Sequence, residues 1–427
     1  MRFSYDGLDA VIQMRSTKVV NNSLWLLAMQ GVNMVLPLVT VPYVTRMLGG
    51  YNYGVFSLAL NWITYFQVIV QFGFTLNGAR KAALLDNDDG NALNRLFSRI
   101  LIARMILLAC CLAALIAVYI ASQMPLIYLW CLLALYLYPV GTAFQTVWLF
   151  QGKQDMGFTA IANIIGRFVS AVLIFILVVN PDSLVLYCIL YSFTYVISSL
   201  VSLVFAKRRY GVCIQKVKIK EVVGEMKSGF SLFLSSAMST LFGGFSVTML
   251  GIFCDAVAVG AYSAIYKIPM VLTTLFSPIG QAIYPHVVKL YMRSDKDAHS
   301  YIKKVGIGSL AIFSSIAILI VLFRDPLIDM VFGAGYSEYS AVVIPLCVWM
   351  IFSILNNFLG IQMLVARGLQ REYSQAFIVG MAGVVLANLC LVPVFGPVGA
   401  GLAVLSGEVV LSLALTFQIY KTRHLVS

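Results

Sequence analysis

Apolar residues in this chain gather into long runs separated by short polar gaps. The runs fall at about 19–44, 54–76, 100–121, 126–148, 158–179, 184–205, 229–252, 258–285, 304–323, 339–366, 375–395 and 399–420. Each is long enough to cross a hydrocarbon layer about 30 Å thick as a helix rising about 1.5 Å per residue. The pattern predicts an all-α polytopic membrane protein with about twelve transmembrane helices. The first run starts near Val19 and exceeds the apolar core of a signal peptide. No small-residue cleavage site precedes polar mature sequence, so this run is expected to stay as the first span.

The longest polar gap, about Ala206 to Lys227, sorts the runs six and six. It predicts an N-terminal lobe over 1–205, a basic linker over 206–227 and a C-terminal lobe over 228–427. A short repeat supports the division. Met47-Leu48-Gly49 followed by Gly54-Val55-Phe56-Ser57 opens span two, and Met249-Leu250-Gly251 followed by Gly260-Ala261-Tyr262-Ser263 opens span eight. Six spans per half give both halves the same orientation. A pseudo-twofold axis along the membrane normal and a central site between the lobes are therefore expected.

Composition agrees with lipid as the main solvent: 61% of the 427 residues are hydrophobic and 11% are charged, against roughly 25% charged in soluble domains. The formal charge of +12 would suit nucleic acid, but the basic residues cluster beside apolar runs. Anionic membrane lipids are the expected partner there, and no nucleic acid. Alternate gaps differ sharply. One set holds Arg80, Lys81, Arg95, Arg99, Lys207-Arg208-Arg209, Lys303-Lys304 and Arg367; the other holds Arg46 and Arg324 beside Asp182, Asp255, Asp325, Asp329 and Glu338. The positive-inside rule places the first set and both termini in the cytoplasm.

By this placement Arg167 and Lys267 are the two basic residues singled out inside spans, where a charge must face protein interior or a watery cavity. In span eight Lys267 shares a helical face with Gly260, Ser263, Thr274, Pro278 and Gln281, opposite an aliphatic face. Polar stripes also run through span two (Ser57, Asn61, Thr64, Gln71, Thr75, then Arg80), span seven (Ser231, Ser235, Ser239, Ser246) and span one (Asn22, Asn33, Pro37, Thr40). Small polar residues help membrane helices pack, which accounts for serines and glycines but not for a lysine. Together the stripes suggest a hydrated cavity between the lobes. Arg167 in span five shares its face with Thr159, Asn163 and Ser170. Glu408 in span twelve either bonds neighbouring helices or couples transport to a proton.

The eight cysteines lie mostly within the runs and form no CxxC pair, so neither a metal nor a redox centre is expected. There is no HExxH, P-loop or GxGxxG fingerprint, and His286, His299 and His424 lie outside the predicted spans. No catalytic residues and no cofactor are expected. A proton gradient or the membrane potential would supply any driving force.

Several landmarks now take on meaning in order. They are Tyr53-Gly54-Val55-Phe56-Ser57, Phe72-Gly73, Ala79-Arg80, Phe150-Gln151-Gly152, Val259-Gly260-Ala261-Tyr262-Ser263-Ala264 with Lys267, Pro278, Gln281 and Tyr284-Pro285, then Gly360, Gln362 and Gly368, and Phe395-Gly396-Pro397-Val398-Gly399-Ala400 leading to Glu408. The series resembles the O-antigen and polysaccharide flippases of the multidrug/oligosaccharidyl-lipid/polysaccharide exporter superfamily, across almost the whole chain. The resemblance implies a two-lobed alternating-access transporter in the bacterial inner membrane. It would move an undecaprenyl-pyrophosphate-linked oligosaccharide to the periplasmic leaflet for O-antigen or related polysaccharide assembly, beside a polymerase and chain-length machinery. Lys267 and Arg167 would then meet pyrophosphate or acidic sugars, with Arg80, Asn33, Asn61, Gln71 and Gln281 completing the substrate path. Arg80 and Arg367 at the cytoplasmic end would capture the headgroup or anchor in lipid.

Two other readings stay open. A multidrug or cation antiporter of the same superfamily would be expected to carry a buried acid in its first half, and the predicted spans one to six hold none. A membrane polysaccharide polymerase or ligase would be expected to carry a large outer loop, whereas the largest outer gap is about Arg324 to Glu338.

Overall fold

The computed structural model describes residues 5–422 except 86–89, 123 and 334, with side chains described from residue 22 onward. His424 therefore lies outside the described residues. Helix accounts for almost everything described, and no strand is present among those residues. Among the described residues, ten helical stretches are long and apolar enough to cross a membrane. Two of them each hold a pair of helices divided at one glycine: Gly49 (φ 75°) and Gly396 (φ 53°). Both sit in the left-handed region that only glycine enters freely. Dividing there brings the crossings to twelve, in register with the twelve apolar runs.

We number these helices α1 (5–48), α2 (50–84), α3 (Gly90–Ser122), α4 (126–152), α5 (Met156–Leu177), α6 (Leu184–Tyr210), α7 (Ile219–Phe253), α8 (256–291), α9 (Asp295–Leu322), α10 (337–367), α11 (370–395) and α12 (397–422). The sequence places a loop between spans one and two. The backbone instead stays helical up to Gly49 and from residue 50 onward. Arg46, Tyr51 and Asn52 interrupt the apolar pattern without interrupting the helix.

Several helices are broken within their length. Proline has no N–H for the carbonyl four residues back. Pro139 so deprives Leu135, and α4 breaks at Tyr136; Pro269 deprives Ile265, and α8 breaks at Tyr266. Further along, α4 opens again at Gln145-Thr146. The fourth helix of the second half, α10, widens into a π-helix over Asn357–Leu364. α2 breaks at Phe72-Gly73, both with positive φ.

Two compact units emerge. The first holds residues 1–40 and 59–241; the second holds 41–58 and 242–427. In the first unit Trp148, Phe74, Phe150, Leu96 and Ile100 are fully buried together. Trp148 closes directly on Gly78, where a Cβ would sit 3.1 Å from the indole. The α2 break at Gly73 is covered by α7, with the Phe72 and Phe233 rings stacked at 4.5 Å. Where the surroundings are lipid, such contacts stabilise through close packing rather than withdrawal from water. In the second unit the repeated motifs of α2 and α8 meet backbone to backbone. A Cβ on Gly54 would overlap the Ala256 carbonyl, and one on Gly260 would overlap that of Gly50. Each glycine of the repeat thus admits the other strand of the contact.

Candidate functional site

In the second unit, Lys267 is the first residue after the α8 break. The Tyr262 and Tyr266 rings stack at 5.9 Å beside it, and Tyr266 meets Trp349 at 5.2 Å. Tyr262 is only 2% exposed, so its ring packs in the core and has no face free for a sugar. Lys267 itself is half-buried and, among the described residues, has no ion-pair partner. A lone ammonium in a largely apolar setting is costly unless water or an anion reaches it. Gln281, exposed and bonded to Ser277 (3.1 Å), lies fourteen residues further along the helix, roughly 21 Å at about 1.5 Å per residue. Lys267 and Gln281 therefore belong to different levels.

Glu408 of α12 accepts from Asn356 of α10, whose amide nitrogen lies 2.6 Å from the carboxylate and 2.9 Å from the Glu408 carbonyl. Ser412 donates to the Asn356 amide oxygen at 2.7 Å. No basic partner for Glu408 occurs among the described residues, so its bonds are to the neighbouring helix.

In the first unit, α1 and α5 run in the same direction, tied where the Met156 N–H donates to Asn22 (3.1 Å). Asn33 follows Asn22 by eleven residues, as Arg167 follows Met156, so equal helical rise sets them at one level. Four polar atoms on this side are buried with no protein partner: Asn33 Oδ1, Thr159 Oγ1, Asn163 Oδ1 and Arg167 Nε. Such orphans in a native interior call for water or a ligand. Tyr138 of α4 lies within electrostatic range of Arg167 and stacks on Tyr195 of α6 at 3.7 Å. Asn61 donates to the Tyr65 hydroxyl (3.3 Å). Gln71 is half-buried at the end of the first stretch of α2, and Arg80, beyond the break, is exposed. The arrangement brings Arg167 and Asn33 to one level and leaves Arg80 apart.

Sequence reasoning missed two buried charges. Arg104 lies well inside span three and is 3% exposed, which corrects the limit of two basic residues inside spans. Its Nη1 donates to the carbonyls of Ala143 (3.1 Å) and Gln145 (2.9 Å), the acceptors freed where α4 opens. Its guanidinium also stands 6.0 Å from the Phe74 ring centre. Those partners come from a helix forty residues away, but the signal that Arg104 is buried was local: it falls within the apolar run 100–121. Glu225 of α7, 2% exposed, pairs with Lys81 (2.6 Å) and Arg99 (4.0 Å) and accepts from Asn77 (3.1 Å). Arg367, read as a headgroup or lipid contact, is instead buried in an ion pair with Asp295 and lies over the Tyr291 ring (5.4 Å). That pairing leaves it a structural tie between α9 and the end of α10.

A family model described as a polysaccharide biosynthesis protein matches residues 19–291. A candidate O-antigen transporter of Shigella dysenteriae is 27% identical over 401 residues, covering 92% of this chain and 98% of that protein. Another from Escherichia coli K12 is 25% identical over 409 residues, covering 93% and 95%. Among solved structures, the lipid II flippase MurJ in an inward closed conformation superposes with a TM-score of 0.69 at 12% identity, over 94% of this chain and 87% of MurJ. An inward-facing multidrug resistance transporter of the MATE family gives 0.63 at 14%, over 92% and 100%. At these identities the structures speak for the fold.

Proposed function

This chain belongs to the polysaccharide biosynthesis protein family, and from that premise we propose that it is a flippase for lipid-linked oligosaccharides. It carries undecaprenyl-pyrophosphate-linked repeat units from the cytoplasmic to the periplasmic leaflet of the bacterial inner membrane, for O-antigen or a related surface polysaccharide. Both termini face the cytoplasm, where the basic gaps meet anionic lipid. The product passes to a polymerase and its chain-length machinery. No bond of the substrate is made or broken, so the protein is a transporter and not an enzyme.

The observation that carries this reading is the unpaired, half-buried Lys267 at the α8 break. A fixed positive charge of this kind suits a pyrophosphate or acidic sugar and repels an organic cation. In the first unit Arg167, Asn33, Asn61, Gln71 and Arg80, and in the second Gln281, offer further polar contacts for the substrate, and the prenyl tail stays in lipid. The alternative of a multidrug antiporter has no comparable support, because the buried acid of the first unit, Glu225, is already held by Lys81 and Arg99.

The test is the leaflet in which lipid-linked oligosaccharide accumulates in cells lacking the protein. Wild type should relieve a cytoplasmic-leaflet build-up. A membrane-inserted Lys267→Ala should lower the rate about tenfold or more, the loss expected when a buried charge contact worth roughly 1.5–3 kcal/mol goes, and Lys267→Arg should lower it less. Wild-type transport by Lys267→Ala would remove the charge argument. Normal flipping without the protein would favour a polymerase or ligase.

A further inference from the structure

A cavity of about 700 Å³ opens where the end of α2, the start of α3 and the first turn of α7 come together. Its walls carry Lys81 and Leu84 from α2, Asn91, Arg95 and Arg99 from α3, and Glu221 from α7. All six belong to the first unit. They lie at the basic end of that unit, the end which the positive-inside rule assigns to the cytoplasm. Asn91, Arg95 and Arg99 follow one another at intervals of four residues, so they form one stripe along α3.

That stripe is rich in donors and poor in acceptors. Arg95 is exposed and, among the described residues, makes no ion pair. Arg99 is half-buried, and its Nε has no hydrogen-bond partner. The Glu225 carboxylate stands 4.0 Å from that nitrogen, outside hydrogen-bond reach. Glu225 is already taken by Lys81 at 2.6 Å and Asn77 at 3.1 Å. Asn91 uses its side-chain oxygen to accept from Gln215 at 3.2 Å, which leaves its amide nitrogen to donate. Two guanidinium groups one helical turn apart repel each other. A buried N–H without an acceptor calls for water or a ligand. An anion between the arginines answers both.

We propose that this cavity binds a phosphate group through Arg95, Arg99 and the Asn91 amide, the phosphate being that of an anionic lipid headgroup or of a soluble phosphate. A guanidinium presents its N–H donors in a planar fork that matches two phosphate oxygens at once. The charge around the cavity is not one-sided: Glu221 lines it, and Asp86, Asp88 and Asp89 lie between its α2 and α3 walls in sequence. The ligand is therefore held by the arginine forks at short range and not by a general positive field. Leu84 on the same wall is 77% exposed, which gives a lipid-borne phosphate apolar surface beside the cations. A phosphate held there ties α3 to α2 and α7 whatever substrate the protein carries, so the site goes beyond the transport reading.

The test uses purified full-length protein in detergent, titrated with phosphatidylglycerol or with zwitterionic phosphatidylcholine, the bound lipids being counted by native mass spectrometry. Wild type should retain one phosphatidylglycerol at a concentration about tenfold below that needed for phosphatidylcholine. Arg95→Gln and Arg99→Gln should each raise that concentration about tenfold, the loss expected for one charge-assisted contact. Glu221→Gln, which removes an acid from the wall, should lower it, and Lys303→Gln in the second unit should leave it unchanged. Arg95 is exposed, so its variant decides the matter if Arg99→Gln folds poorly. Equilibrium binding of radioactive inorganic phosphate to the same proteins forms the second arm. Arginine-dependent retention of lipid assigns the phosphate to a headgroup; arginine-dependent binding of inorganic phosphate alone assigns it to a soluble source. Binding that is equal in wild type, Arg95→Gln and Arg99→Gln in both arms, or absent from both, overturns the proposal.

Discussion

The interiors of the two units teach different lessons about buried polarity. In the first unit, Arg104 and Glu225 are held by named partners: two α4 carbonyls for the arginine, Lys81, Arg99 and Asn77 for the glutamate. In the second, Lys267 stands without an ion pair among the described residues, and the Asn357 and Gln362 oxygens are unpartnered. The contrast lies between particular groups rather than whole units, since Asn33 Oδ1 and Arg167 Nε of the first unit are also unpartnered while Glu408 and Arg367 of the second are held. Completed groups are costly to remove; available ones are cheap for stability and costly for function.

That contrast can be broken by stability measurements in detergent. Arg104→Met should have the largest effect, about 2–4 kcal/mol, because it strips charged donors from two interior carbonyls and leaves both unpaired. Glu225→Gln should cost less, about 1 kcal/mol: the amide keeps an acceptor for Asn77, and Lys81 is 36% exposed and so screened by solvent. Gln362→Met should cost least, under about 1 kcal/mol, because losing the amide bond to the Gly280 carbonyl (3.0 Å) is offset by losing an orphaned oxygen. Reversible unfolding of each variant measures all three. If Gln362→Met proves as damaging as Arg104→Met, the division between completed and available groups fails.

The sequence pattern carried much of this. Runs of about 20 apolar residues placed all twelve helices, because lipid imposes a length that periodicity alone does not. The glycines of the repeat marked α2 and α8, and Lys267 was visible because no packing argument explains it. What escaped were features whose cause lies far along the chain. Arg104 was passed over although it lies inside the apolar run 100–121, and its acceptors in α4 are far along the chain. Arg367 looked like a lipid contact because Asp295 lies seventy-two residues away. The π-turn follows no local pattern, since Asn356-Asn357 reads as two polar residues until Glu408 and Gly280 are placed beside them. Single-residue breaks at Gly49 and Gly396 were read as loops for a related reason: polarity marks the membrane boundary, whereas φ marks the turn.

The chain boundary of each unit has a consequence for how the gene can be divided. Residues 211–218 form no regular secondary structure and are stitched to α3 through Cys213 and Gln215, and they invite a cut between the two six-helix halves. Yet 219–241 belongs to the first unit and 41–58 to the second. A fragment ending at 218 would display the bare Phe72 ring and the exposed backbone at Gly73, which α7 otherwise covers. The complementary fragment would lack Gly50 and Gly54, against which Gly260 packs. Neither product would be a finished module, and each would hold the piece the other needs. Two open reading frames split at the linker should therefore yield a functional protein only when translated in the same membrane, with each fragment acting as the other's folding template.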